Sequence, residues 1–167
     1  GFAQEPRSPE ALQEALEDKE EKVREMAVGA LSRLGEVGAS PILVRLLGDT
    51  SASVRQAAAD ALRGFGPAAI PHLVAQVSRG AEQSRARPAS VNAAKVLGAV
   101  GDDRASDPLA LLLKNGPAES RAAAAEALGD LGLSRGIGPL RAALLDPAPD
   151  VRGAALRSLA ALAGKMA

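Results

Sequence analysis

A thirteen-residue pattern returns five times along this chain, and no other feature restricts its fold so tightly. The pattern is V-R-x-x-A-x-x-A-L-x-x-L-G, first seen from Val23 to Gly35. It returns from Val54 to Gly66 with Phe65 in the last apolar slot, and from Ala89 to Gly101 with Val96 and Val100 in apolar slots. It returns again from Ser120 to Gly132 and from Val151 to Ala163. The closing positions 35, 66, 101, 132 and 163 are spaced by 31, 35, 31 and 31 residues. A constant period of this length marks a stacked-repeat architecture.

Counting the first residue of each copy as offset 0, apolar residues occupy offsets 0, 4, 7, 8 and 11. That spacing is one stripe on a helix. The glycine that closes most copies is a helix stop, since glycine adopts the left-handed cap conformation without strain. A second apolar stretch lies between copies, as in Pro41–Leu47, Pro108–Leu113 and Pro139–Leu145. Its leading proline suits a first helical turn, where the missing N–H costs nothing. These stretches end near Asp18, Asp49, Asn115 and Asp146. Each unit therefore reads as helix A, a turn opened by Asp, helix B and a glycine turn. Composition agrees, with 37 alanines and 23 leucines against only 3 isoleucines. Neither helix can bury its stripe alone, but stacked neighbours can.

The 31-residue period and D-x-x-x-x-V-R-x-x-A-x-x-A-L-x-x-L-G resemble the HEAT repeat. The similarity is nearest to the short HEAT-like type known from phycobilisome lyases, and it covers residues 9–164. It implies an all-α fold, a right-handed α–α superhelix of about five helix pairs. The expected units are about 9–35, 36–66, 67–101, 102–132 and 133–164 of a single domain over 9–167, with 1–8 a linker or processing remnant. The resemblance also implies a structural ladder of turn Asp and helix-B Arg side chains. Its members are Asp18, Arg24, Asp49, Arg55, Asn115, Arg121, Asp146 and Arg152, with Ser84 and Ser90 in the third unit's places. An Asp beside exposed helix N–H groups, held by a guanidinium fork, makes good charge-assisted bonds.

The third unit departs from the pattern, with two serines in the ladder and four extra residues between Val77 and Pro88. That stretch reads as an extended turn. Its Arg79, Arg85 and Arg87 either face water or touch an acidic partner or a phosphate.

By the resemblance, the B helices line the concave side. Offsets 2, 3, 6, 9 and 10 avoid the apolar stripe. The offset-6 row reads Gly29, Asp60, Lys95, Glu126, Arg157, and its charges alternate in sign. Glu25, Met26, Arg33, Gln56, Arg63, Val91, Asn92 and Asp130 flank it. The charged members either pair across neighbouring helices or form a mixed-charge groove for another protein. Ala122, Ala123, Gly129, Gly153, Ala154, Ala160 and Ala161 would leave a smooth strip toward the end. The last copy has no polar capping helix, which suggests a larger polypeptide or a partner at that end.

Charge and composition weigh against several functions. Lys plus Arg equals Asp plus Glu at 20 each, so no whole-domain grip on nucleic acid or anionic lipid is expected. There is no cysteine, Trp or Tyr, and one histidine, His72. Thiolate metal sites, cysteine nucleophiles and base-stacking platforms are thereby excluded. No metal or cofactor is expected. Asp102-Asp103 reads as a helix cap, and Gly64-Phe65-Gly66-Pro67 as a turn. An excess of arginine over lysine, 15 to 5, suits a GC-rich bacterial genome. The expected function is a non-catalytic scaffold that docks another protein, without nucleic acid or membrane insertion. The alternatives implied by resemblance are a subunit of a bilin lyase-like enzyme and a HEAT-like nucleic-acid binder. No compartment is indicated, since a cysteine-free chain suits the cytosol, the periplasm or secretion.

Overall fold

The computed structural model describes residues 8–167, so the expected linker lies outside the described residues except for Ser8. Ser8 belongs to the first helix as its cap, its Oγ accepting from Ala11 N at 3.2 Å. The described residues form ten α-helices in five A/B pairs. They are α1 (Pro9–Ala15) with α2 (Glu21–Leu34), α3 (Ser40–Leu46) with α4 (Ala52–Phe65), α5 (Ile70–Ala81) with α6 (Pro88–Val100), α7 (Ser106–Asn115) with α8 (Ala118–Leu131), and α9 (Ile137–Ala143) with α10 (Pro149–Met166). A short 3-10 turn precedes each of α3, α5, α7 and α9. No strand occurs among the described residues.

The repeated leucine at offset 8 forms the spine of this stack. Leu31, Leu62, Leu97 and Leu128 are buried, each worth roughly 1.5–3 kcal/mol by removal from water. The A helices answer with Leu16, Leu43, Leu47, Leu73, Leu109, Leu112 and Leu140. Gly35, Gly101 and Gly132 end their B helices in the left-handed region, with φ of 69°, 77° and 72°. Gly66 has φ 58° but ψ −133°, because Pro67 follows it and disfavours helical ψ at the preceding residue. At the fifth closing position stands Ala163, and α10 runs on through Gly164 to Met166 without a stop.

Successive B helices approach each other more extensively than successive A helices. Small residues allow this. A Cβ on Gly98 would lie 2.8 Å from Ala127 Cα, and one on Gly129 would lie 3.0 Å from Ser158 Cα. The Ser158 hydroxyl spends its proton on Ala125 O at 2.9 Å.

Between the first two units and between the last two, an arginine joins the turns. Arg24 donates Nε and Nη2 to the Asp49 carboxylate at 2.9 and 2.8 Å, while its Nη1 donates to Asp18 O and Lys19 O in its own turn. Arg121 repeats this, with Nε and Nη2 on Asp146 at 2.8 Å each and Nη1 on Gly116 O. Each Asp also accepts the N–H two residues on, Ser51 or Ala148, at 2.8 Å. Burial pushes the Asp49 carboxyl up, but the Arg24 bonds and the Ser51 N–H outweigh it and hold the carboxyl below its ordinary value. The Arg121 fork likewise holds Asp146 down, against burial.

The ladder is interrupted in the middle. Arg55 keeps the bonds of its own turn, Nη1 to Asp49 O and Thr50 O, but does not reach Ser84. Asn115 is exposed and joins no rung, because the arginine position ahead of it is Ser90. Ser90 is fully buried and accepts from Gln76 Nε2 at 3.1 Å, and Gln76 in turn accepts from Arg79 at 2.8 Å.

The third unit's insertion corrects the expected extended turn. Four residues are about one helical turn, and they lengthen helix A. α5 has 12 residues where α1, α3 and α9 have 7. Val77, Gly80 and Ala81 continue its buried stripe. Only 82–87 remain as the connection, with Arg85 and Arg87 exposed there. Arg79 sits on the helix rather than in a loop, committed to Gln76.

Candidate functional site

The exposed stripe of the B helices carries most of the residues singled out from the sequence. Met26, Arg33, Gln56, Asp60, Arg63, Lys95, Glu126, Asp130 and Arg157 are exposed along it, and Glu25 is half-buried beside Lys22. Val91 is buried and so leaves this surface. Asn92 is half-buried and donates its amide to Leu47 O at 2.8 Å, tying α6 to the end of the second unit's A helix. Its polar group is thus spent on holding two units together.

The charged row does not form one continuous chain of pairs. Arg157 reaches Glu126 across units at 3.4 Å. Asp60 instead pairs within α4, accepting from Arg63 and from Gln56. The difference is local. Asp60 has a cation one turn along its own helix, whereas Glu126 is followed at that distance by Gly129 and Asp130. Lys95 and Asp130 make no ion pair among the described residues.

Two concavities accompany the stack. A notch of about 290 Å³ opens on the B side between α8 and α10, lined by Glu126, Gly129, Asp130, Arg157, Ser158 and Ala161. A larger cleft of about 540 Å³ lies between α7 and α9, floored by Ala110, Leu113, Pro139 and Ala143. The small-residue strip expected toward the end is largely interior. Ala123, Gly129 and Ala154 are buried between helices, and Ala160 and Ala161 alone remain open.

Outside this face, Asp102 caps the turn before α7. It accepts from Arg104 N at 3.0 Å and from the Arg104 guanidinium at 2.9 and 2.8 Å. Those bonds hold its carboxyl down at about 2. Arg104 also donates to Pro67 O of the unit before, so Asp102 braces a contact between units. His72 is exposed on the first turn of α5. Among the described residues no cluster of three metal-binding side chains occurs, and no helix is long and apolar enough to cross a membrane.

Comparisons with known proteins agree with this architecture. The phycocyanin lyase complex of CpcE and CpcF from Nostoc sp. PCC7120 is similar at 24% identity and a TM-score of 0.60, over 98% of this chain and 68% of that one. A designed armadillo repeat protein in complex with the peptide (KR)4 is similar at 19% identity and a TM-score of 0.52, over 91% and 80%. An engineered protein follows at 21% identity and a TM-score of 0.52, over 93% and 79%. At these identities the likeness concerns the fold. No curated protein matches the chain. The family model for the PBS lyase HEAT-like repeat matches residues 54–77. The model for HEAT repeats matches residues 1–63 and 81–160, most of the chain, and the chain belongs to the HEAT-repeat family.

Proposed function

We propose that this protein is a non-catalytic interaction scaffold that docks a segment of another protein across its B-helix face. The observation that carries this reading is the row Asp60, Lys95, Glu126 and Arg157, exposed on four consecutive B helices. A rigid stack holds these charges at fixed intervals, and Lys95 and Asp130 have no ionic partner among the described residues. Preorganised charge of both signs favours a partner segment that also carries both signs, and it contributes specificity more than affinity. Gln56, Arg63, Met26 and Arg33 extend the face, as does the notch beside Ser158. Glu25 flanks it. Arg85 and Arg87 offer a second, smaller contact at the edge of the third unit. In this reading Arg79 supports Gln76 and Asn92 supports Leu47, and neither meets the partner.

The experiment is an affinity capture with the parent chain and with an Asp60→Arg, Glu126→Arg double variant. A partner held by the parent and lost by the variant supports docking on this face. A partner held equally by both moves the contact to the Arg85–Arg87 edge. A parent that holds nothing refutes the reading.

A second reading makes the chain a subunit of a bilin lyase-like enzyme, and the lyase-type repeat matched at 54–77 favours it. Mixing with a bilin and following visible absorbance separates the two, since a scaffold leaves the spectrum unchanged.

A further inference from the structure

At the cleft between α7 and α9 the repeat leaves its own packing unfinished. Leu43, Leu73, Leu109 and Leu140 hold one equivalent, fully buried place in α3, α5, α7 and α9. The cleft is floored by the residue after Leu109 and the third residue after Leu140, which are Ala110 and Ala143. The corresponding pairs are Val44 with Gln76 between α3 and α5, and Val74 with Leu112 between α5 and α7. Those junctions have a branched or long side chain on each helix, whereas this one has two alanines. The cleft of about 540 Å³ is the room so left. Both walls lie inside the stack. The residues of α9 that correspond to Asp107, Ala110, Leu113 and Lys114 of the α7 wall are Gly138, Arg141, Leu144 and Leu145, and none of these lines the cleft. A following unit would meet that other side of α9 and leave the cleft open.

The rim is charged in a pattern that the other junctions lack. Asp107 stands in the first turn of α7 and Lys114 in its last, both exposed. The corresponding residues are Pro41, Pro71 and Gly138 at the first place, and Gly48, Ser78 and Leu145 at the second. Among the described residues neither Asp107 nor Lys114 makes an ion pair. On the α9 side, Asp146 is already held by Arg121 and by Ala148 N–H. Between the two open charges lie Ala110 and Leu111, and Leu111 is 45% exposed. Asp107, Ala110, Leu111 and Lys114 thus form one face of two helical turns, with opposite charges about 10 Å apart along the axis.

We propose that this groove docks an amphipathic helix of another protein, on a second surface apart from the B-helix row. Leucine-type side chains of that helix fill the cleft over Ala110 and Ala143 and cover Leu111. They supply the packing that Val74 and Leu112 supply at the junction before. The helix carries a carboxylate that meets Lys114 and, seven residues later, a Lys or Arg that meets Asp107. This order sets it antiparallel to α7. An acid in the first turn and a base in the last also suit the partner's own helix dipole, whereas a parallel helix needs the reverse order.

Fluorescence anisotropy of a labelled peptide titrated with the full chain tests this. The probe is an alanine-rich helical peptide of about 15 residues with Glu, Leu, Leu and Lys at i, i+3, i+4 and i+7. The parent is expected to saturate it, and the Asp60→Arg, Glu126→Arg double variant to bind it equally well. Ala143→Leu fills the cleft with the residue type found at Leu46 and Leu112. It is expected to weaken binding about tenfold or more, with a thermal midpoint no lower than the parent's. Asp107→Lys, at an exposed position, is expected to weaken the probe about tenfold, and a peptide with Glu at both charged places to recover it. No saturation below about 1 mM overturns the proposal. So does a folded Ala143→Leu variant that binds like the parent, or an Asp107→Lys variant that does not prefer the peptide with two Glu. Self-association of the parent that Ala143→Leu abolishes seats a second copy in the groove instead, and also overturns it.

Discussion

The junctions at the two ends of the stack and those around its third unit are built from different forces. At the first and last junctions a guanidinium grips a carboxylate across units, Arg24 on Asp49 and Arg121 on Asp146. Around the third unit no such grip exists. Within the third unit, instead, α5 and α6 press together where a Cβ on Gly80 would lie 2.7 Å from Ser90 Cβ, and a neutral Gln76–Ser90 hydrogen bond sits in the contact. Asn92 to Leu47 is the hydrogen bond that ties α6 back to the second unit. The comparison teaches that where a helix gains a turn, the serine standing in the arginine's place is packed within its own unit, and no charged rung joins that unit to its neighbours. The two solutions differ in what breaks them.

The largest separation comes from Asp146→Ala. It strands the Arg121 fork and removes the acceptor of Ala148 N–H, and hydrogen bonds to charged groups contribute about 1.5–3 kcal/mol. Thermal unfolding is expected to fall by roughly 5–10 °C, at about 2–4 °C per kcal/mol for a domain of this size. A loss near zero would mean that the rung only decorates the surface. Next is Gly80→Val, which leaves every rung intact and forces α5 from α6. Overpacking of this kind costs typically about 1–3 kcal/mol, and urea unfolding is expected to show the loss. An unchanged midpoint would show that the helices are not in close contact there.

A third test uses acid. The carboxyls of Asp49 and Asp146 lie below their ordinary value in the folded chain, so the unfolded chain binds these protons more readily. Their contribution is present above about pH 4 and is lost as pH falls through the folded value. The stability gap between the parent and Asp146→Asn is therefore expected to narrow below about pH 4, while the gap between the parent and Gly80→Val stays constant. A parallel narrowing in both would deny the contrast between rung and packing. The smallest effect is at the exposed pair Glu126–Arg157, where Arg157→Gln is expected to cost less than about 0.5 kcal/mol by calorimetry. A cost as large as that of Asp146→Ala would make this row structural and weaken its role as a docking face.

Much of this was legible in the sequence. Offsets 4 and 8 of the stripe are buried in most copies, and the glycines after α2, α6 and α8 take the left-handed conformation. These follow from one residue's conformational freedom and one helix's period, so a single unit suffices to read them. The extra turn of α5 was not legible, because Gly80 and the polar residues around it look like a loop. Only the approach of Ser90 makes a glycine there worth its cost in helix propensity. The bonds of Asn92 were hidden for a related reason. They reach 45 residues back to Leu47, a distance set by how units stack and not by the pattern within one. The docking row was visible as alternating charge, but which members pair depended on the neighbours one turn along each helix. Asp60 found Arg63, and Glu126 found none nearer than Arg157.

The division of labour within Arg24 and Arg121 has a consequence for how the chain folds. Nη1 can hold its own turn only when that turn has formed, and only then do Nε and Nη2 point at the neighbour. Completion of one repeat thus templates attachment of the next, a coupling of intrinsic and nearest-neighbour energies in a one-dimensional array. Where the fork meets no carboxylate, between α4 and α6, that templating lapses, and the helix–helix contact there is also the slightest of the B-side contacts. Under denaturant the array is therefore expected to divide at this seam, into a block of two repeats and a block of three, and hydrogen exchange that shows all five repeats opening together would overturn this.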